Sequence, residues 1–390
     1  MCILRAMPTQ AIRPARVQNL VSCIFEDDLH AKRVASLSNA VLGALVGARL
    51  AVATLGRALA IARNRNPKHA IKQVDRLLSN NGIDVWQLFA SWVPFVVGPR
   101  LEITVALDWT EFDADNQSTI ALHLVTKHGR ATPLLWKTVV TSELKGWRNE
   151  HEDVLLERLR QVLPEGVRVK VLADRGFGDQ ALYELLKDQL GFDFVVRFRG
   201  IVKVADEHGV TKTAAEWVPE NGRARLLRKA LVTSSRREVG AVVCVKARGM
   251  KEPWCLATSL VDCTGAEVVK LYGKRFTIEE SFRDLKNLRF GMGLSDTRIS
   301  STGRRDRILL VGTIATALFT LLGAAGESIG LDRMMKANTV KTRTHSLHSQ
   351  GLFYFEWLAT MSEDRALLLL QKFDEMIRQQ ATFREVFGLI

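Results

Sequence analysis

The sequence predicts an α/β protein: a mixed-sheet core with a β-rich insertion, set between helical N-terminal and C-terminal regions. Three observations carry this expectation. Hydrophobic residues follow a helical period over the first hundred residues, switch to strand alternation at Leu101, and return to a helical period from Val268. The 390 residues suffice for two or three domains at roughly 100–200 residues each. With 47% hydrophobic and 25% charged residues, composition lies near globular averages and excludes disordered, collagen-like and low-complexity classes.

The elements follow in order. Residues 36–63 are rich in Ala and Leu, show no strand alternation, and predict helix. Asn64, Arg65, Asn66 and Pro67 break it. Residues 68–80 (KHAIKQVDRLLSN) restart a helix with Ile71, Val74, Leu77 and Leu78 on one face and Lys68, Lys72 and Arg76 on the other. Residues 1–100 hold 13 Lys and Arg against 5 acids, a surplus of 8 in the chain's net +13. Such an excess predicts a helical DNA-binding domain over residues 1–98, against the alternative of a solvated helix face.

From residue 101 three strands are expected, at 101–108 (LEITVALD), 118–126 (STIALHLVT) and 131–140 (ATPLLWKTVV), with His128, Gly129 and Arg130 as a hairpin turn. A helix at 151–163, a strand at 167–173, a helix at 180–189 and a strand at 192–198 complete the run. A three-stranded meander, a helix, then strand–helix–strand is the order of a ribonuclease-H-like mixed sheet, its first part spanning residues 99–199. The runs VVCVK and WCLATS among glycines and charged turns predict a β-rich insertion over 200–265. A second part of the core over 266–330 and a helical C-terminal region for DNA contact and dimerisation over 331–390 follow. Residues 308–326 form an uncharged run of 19, long enough for a bilayer. Its three Thr and three Gly, with charge flanking both ends, favour a buried core helix and no membrane partner.

The balance of 55 Lys and Arg against 42 Asp and Glu, with a pI near 9.7, points to nucleic acid first and to an anionic membrane second. Cys2, Cys23, Cys244, Cys255 and Cys263 are odd in number and contain no C-x-x-C pair. That supports neither a zinc ribbon nor a disulfide framework and predicts a reducing cytoplasm, with Cys244, Cys255 and Cys263 as unpaired packing residues. Residues 1–18 lack the apolar run of a signal peptide.

Three acids stand out by context. Asp108 (VALDWT) and Asp174 (VLADRGFGD) each close an apolar strand, and Gly176 and Gly178 let the chain turn sharply after the second. A strand-end Asp can also simply cap the next turn. The third acid lies in residues 271–286 (LYGKRFTIEESFRDLK), expected as one helix. With Tyr272 at zero, Arg275 falls at about 300°, Glu279 at about 340° and Lys286 at about 320°, one polar stripe. Ile278, Phe282 and Leu285 form the adjacent apolar stripe, while Glu280, at about 80°, is expected to face solvent. The competing reading is a surface ion pair of Arg275 with Glu279. Three carboxylates from separate elements suit a pair of Mg²⁺ ions for in-line phosphoryl displacement, with Asp108 bridging and Asp174 and Glu279 completing one ion each. Mn²⁺ is expected to substitute. Tyr272, Arg275 and Lys286 would then grip nucleic-acid phosphates.

Tyr272, Arg275, Glu279 and Lys286 match a Y-x2-R-x3-E-x6-K signature at every spacing, in register with the ALDWT and ADRGF blocks. On these motifs the sequence resembles DDE transposases of bacterial insertion sequences, over nearly its whole length. The resemblance implies a ribonuclease-H-like fold, cutting at element ends, and joining to target DNA through a cut-and-paste hairpin route. It implies double-stranded DNA as partner, at terminal inverted repeats and target alike, in a nucleoid-associated cytoplasmic protein. Two element ends must be brought together, so a homodimer on DNA is expected. Trp254 is similar in position to a tryptophan that stacks on a flipped base, a buried structural Trp being the alternative. Residues 337–349 (ANTVKTRTHSLHS) look like the family's C-terminal block, where Lys341, Arg343, His345 and His348 predict a basic DNA-facing segment. Ser301, Arg304, Arg305 and Arg307 read as a similar cluster or as solvated surface. The runners-up are a structure-selective nuclease of the same fold and a catalytically dead DNA-binding protein.

Overall fold

The structure is a computed structural model that describes residues 13–233 and 236–378. The expectations for Cys2 and the first 12 residues, and for residues 379–390 of the C-terminal region, lie outside the described residues. The chain opens with five helices: α1 (Pro14–Phe25), α2 (Ala31–Gly47), α3 (Val52–Arg63), α4 (Pro67–Leu78) and α5 (Val85–Val97). The expected long helix over 36–63 is two, because Ala48 takes a left-handed conformation and turns the chain through 94°. α4 starts where its sequence says it should. Asn66 accepts the backbone N–H groups of Lys68 and His69, and Pro67 needs no partner at the first position. Val74, Leu77 and Leu78 are buried, while Lys68, Lys72 and Arg76 stand in solvent.

The core follows as β1 (Glu102–Phe112), β2 (Gln117–Leu124), β3 (Thr132–Val140), α6 (Arg148–Val162), β4 (Arg168–Ala173), α7 (Gln180–Glu184) and β5 (Asp193–Phe198). β1, β2 and β3 form the antiparallel meander, and β4 and β5 join parallel to β1 and to each other. Leu107 pairs with Ala173 across β1 and β4. Between residues 200 and 265 lie β6 (Lys203–Ala205), β7 (Thr211–Thr213), β8 (Arg225–Arg228), β9 (Leu231–Val232), β10 (Arg237–Glu238), β11 (Ala241–Val245) and β12 (Trp254–Thr258). They divide between two sheets. β12, β11 and β8 continue the main sheet past β5, in the order β3-β2-β1-β4-β5-β12-β11-β8, and the other four form a small separate sheet. Cys244 and Cys255, cross-strand partners in β11 and β12, are free buried thiols.

The remainder is helical: α8 (Gly265–Gly273), α9 (Thr277–Lys286), α10 (Thr302–Ser328), α11 (Leu347–Trp357) and α12 (Glu363–Arg378). α10 carries the long apolar run and is long and apolar enough to cross a membrane, yet 94% of its most apolar stretch is buried inside the protein. It packs on α2, α4, α11, α12 and β3, and so ties the N-terminal helices to the sheet.

The basic start of α10 corrects both sequence readings. Arg305 is 1% exposed, bonds Asp115 at 2.5 Å and Gln117 at 3.0 Å, and covers the Phe112 ring at 3.8 Å. Arg307 donates to the carbonyl oxygens of Ile83 and Leu78, and Arg304 pairs with Asp75 at 2.6 Å. These three arginines therefore clamp α10 to the α4–α5 connection and to the turn after β1, and of the four clustered residues Ser301 is the exposed one.

Candidate active site

Asp108 sits within β1, which runs on to Phe112 and does not end at Asp108 as expected, and the Leu107–Ala173 pairing sets Asp174 beside it, one residue past the end of β4. Local pattern explains both positions: an apolar strand buries its backbone, and the acid ends the apolar stretch. The turn-capping reading of Asp174 holds as well, since its Oδ1 accepts the Gly176 N–H at 2.7 Å. Gly178 has to be small because a Cβ there would lie 2.8 Å from Cβ of Phe198 and 2.9 Å from the Arg197 carbonyl oxygen.

The third acid arrives by a route the helical wheel missed. Residues 271–286 are not one helix: α8 ends at Gly273, a tight 3-10 turn covers Lys274–Phe276, and α9 begins at Thr277. The turn sinks Arg275 to 5% exposure. Its Nη1 donates to Asp108 Oδ2 at 3.1 Å and its Nη2 donates to Glu279, so one guanidinium joins two of the acids. The Arg275–Glu279 pair is thus present, but its cation is buried and shared. Glu279 keeps half its side chain exposed. Glu280, expected to face solvent, keeps 39% of its side chain exposed and pairs with Arg283 and with Arg130 at 3.6 Å.

The broken helix also redirects Tyr272. It is 1% exposed and meets the Trp254 ring edge-on at 4.9 Å, in the core beside the cleft. Trp254, first residue of β12, is half-buried, and its other neighbour is Phe276 at 5.8 Å. Phe276 is 39% exposed and was missed in the sequence, because a continuous helix puts it at about 40°, off the polar stripe. Lys286 lies against the Phe112 ring and donates to Glu111's carbonyl oxygen at 2.6 Å and to Thr110 at 3.0 Å.

An open cleft of about 650 Å³ is lined by Asp108, Glu279 and Lys286, and by Arg283, Arg289 and Asp296, which sequence reasoning also missed. Asp174 is not in that lining, but its charge acts on Asp108, Tyr272 and Arg275. Burial, with the like charges of Asp174 and Glu279, pushes the Asp108 carboxyl up to about 6, against the pull of Arg275. Burial lowers Lys286. The donors are hard carboxylate oxygens, which fit a cation such as Mg²⁺ or Mn²⁺. Among the described residues no three His, Cys, Asp or Glu side chains are grouped closely enough to hold an ion, and the position between Asp108 and Glu279 is filled by the Arg275 guanidinium.

The other predicted contacts lie elsewhere. Lys68, Lys72 and Arg76 on α4 do not line this cleft. Lys341 is exposed, whereas Arg343 grips Glu327 through two nitrogens at 2.8 and 2.6 Å. His348, expected in a DNA-facing segment, is 0% exposed against Phe319 and near Asp284, because α11 packs that face onto α10.

A sequence model of a protein family, described as a transposase DDE domain, matches residues 100–317. No curated protein matches the chain.

Proposed function

The chain belongs to the transposase DDE domain family, and on that premise we propose that it cuts DNA at the ends of an insertion sequence and joins them to target DNA. The observation that carries this reading is the placement of Asp108 beside Asp174 across β1 and β4, with Glu279 drawn to Asp108 through Arg275. A hard divalent cation held by Asp108, Asp174 and Glu279 would stabilise the attacking and leaving oxygens of each phosphoryl displacement. Lys286, Arg283 and Arg289 along the cleft would hold the strand by its phosphates. Water nicks one strand and frees a 3′-hydroxyl. That hydroxyl attacks the opposite strand to close a hairpin, and a second water opens it. The regenerated 3′-hydroxyl then attacks target DNA. Each step exchanges one P–O bond for another, so one site serves all.

Two copies of the chain bring the two element ends together. Trp254, partly buried with Phe276 at its side, stacks on a base displaced next to the hairpin. Trp254→Ala then spares the first nick and slows the hairpin step roughly ten-fold or more, because stacking contributes about 1–3 kcal/mol. Trp254→Phe retains much of the rate. Equal losses of nicking in both variants would give Trp254 a purely structural role.

The deciding experiment is cleavage and joining of end-bearing DNA with Mg²⁺ or Mn²⁺. Asp108→Ala, Asp174→Ala and Glu279→Ala should each abolish cleavage and leave DNA binding largely intact. Glu280→Ala, whose partners are Arg130 and Arg283, should cut at close to the wild-type rate. Any triad variant that cuts at full rate refutes the assignment, and cutting without joining identifies a nuclease.

A further inference from the structure

Arg275 is held by two of the acids and by the Tyr272 hydroxyl. Its two terminal nitrogens meet Asp108 and Glu279, and its buried Nε has no hydrogen-bond partner. The Phe276 ring lies 4.9 Å and the Tyr272 ring 6.0 Å from the guanidinium, and the Tyr272 hydroxyl is a further hydrogen-bond partner beside the two acids. A cation that met Asp108 and Glu279 together would have to take the guanidinium's place, since two positive charges at one point repel. The absence of any three-ligand group among the described residues accords with that occupancy.

We infer that Arg275 is a resident counterion that keeps the acid site closed to divalent cations until a DNA phosphate draws its guanidinium away. The inference rests on the proposed reading of the site as a cation-dependent DNA-cutting centre. A phosphate offers the same planar fork of acceptors as a carboxylate, and it can take the idle Nε–H together with an Nη. Once Arg275 turns to phosphate, the carboxylates lose their positive charge and repel one another until a metal ion enters. Cation and DNA therefore bind cooperatively, and the coupling is reciprocal. The protein without DNA stays poor in metal, which limits stray cutting.

The test uses the full chain and Mn²⁺, with free ion measured by electron paramagnetic resonance and melting temperature measured against Mn²⁺. A mixed-sequence DNA duplex at low salt serves as the phosphate source, because phosphate contacts are independent of sequence. For wild type, the duplex should tighten Mn²⁺ binding by roughly 5- to 150-fold, the usual span of coupling between two sites. Arg275→Met should bind Mn²⁺ tightly without DNA, and Asp108→Asn added to it should remove that binding. Arg275→Lys, with a single charged point that cannot span both acids, should fall between; with the wild-type comparison it decides the matter if Arg275→Met does not fold. Equal Mn²⁺ affinity in wild type and the Arg275 variants without DNA overturns the counterion role, as does a duplex that leaves wild-type affinity unchanged. No Mn²⁺ binding to any variant, with duplex or without, overturns the cation-dependent reading itself.

Discussion

Asp108→Asn should inactivate the protein and stabilise it. The Asp108 carboxyl is raised from 3.8 to about 6, first by burial and then by Asp174 and Glu279. A raised acid is one whose charged form the folded state disfavours, so at neutral pH the ionised Asp108 works against folding. At 1.36 kcal/mol per pH unit the cost is about 3 kcal/mol. Asparagine keeps the shape and removes the charge, while Glu279 remains to pair with Arg275. The sign follows: the penalty is absent below about pH 4, where the carboxyl is protonated in both states, grows between about 4 and 6, and is complete above. Calorimetric melting in the absence of divalent ions, from pH 4 to 8, should show Asp108→Asn several degrees above wild type at pH 7.5 and level with it at pH 4. A variant that melts below wild type at pH 7.5, or whose advantage does not change with pH, refutes the reasoning.

Other perturbations test the frame that holds the site. Arg305→Met leaves Asp115 buried without its cation and should cost about 3–5 kcal/mol in urea unfolding, whereas the more peripheral Arg304→Ala should cost about 1 kcal/mol or less. Gly351→Ala places a Cβ 1.9 Å from the Phe319 carbonyl oxygen where α11 crosses α10. It should lower stability by about 3 kcal/mol. Gly330→Ala, in open space at φ 79°, should cost about 1–2 kcal/mol from backbone strain alone. Thermal melting that ranks these two glycines the other way would contradict the close helix crossing.

Much of the fold is local and was legible. Strand alternation at β1–β5, the breaker before α4, and the position of Asp174 just past an apolar strand depend on neighbours within a few residues, so period and turn chemistry expose them, whereas the strand bearing Asp108 runs four residues beyond it. Asp108 and Asp174 were readable as a pair because the ribonuclease-H-like element order sets β1 and β4 side by side in the sheet. What the sequence could not decide depends on partners far along the chain. Arg304, Arg305 and Arg307 look alike in a row, yet their fates are set by Asp75, Asp115 and Ile83, all more than 180 residues away. The helix over 271–286 is broken by a turn that lets a buried Arg275 reach Asp108, 167 residues earlier, and this sends Tyr272 to the core and brings Phe276 to the surface. Likewise β12, β11 and β8 could have formed a body of their own; pairing of Cys255 with Phe198 and of Ala257 with Val196 makes them the continuation of the main sheet. A one-dimensional pattern records which face of an element is apolar. Only the packed chain determines which distant charge each buried cation meets, because a buried charge must find its partner wherever the fold brings one within reach.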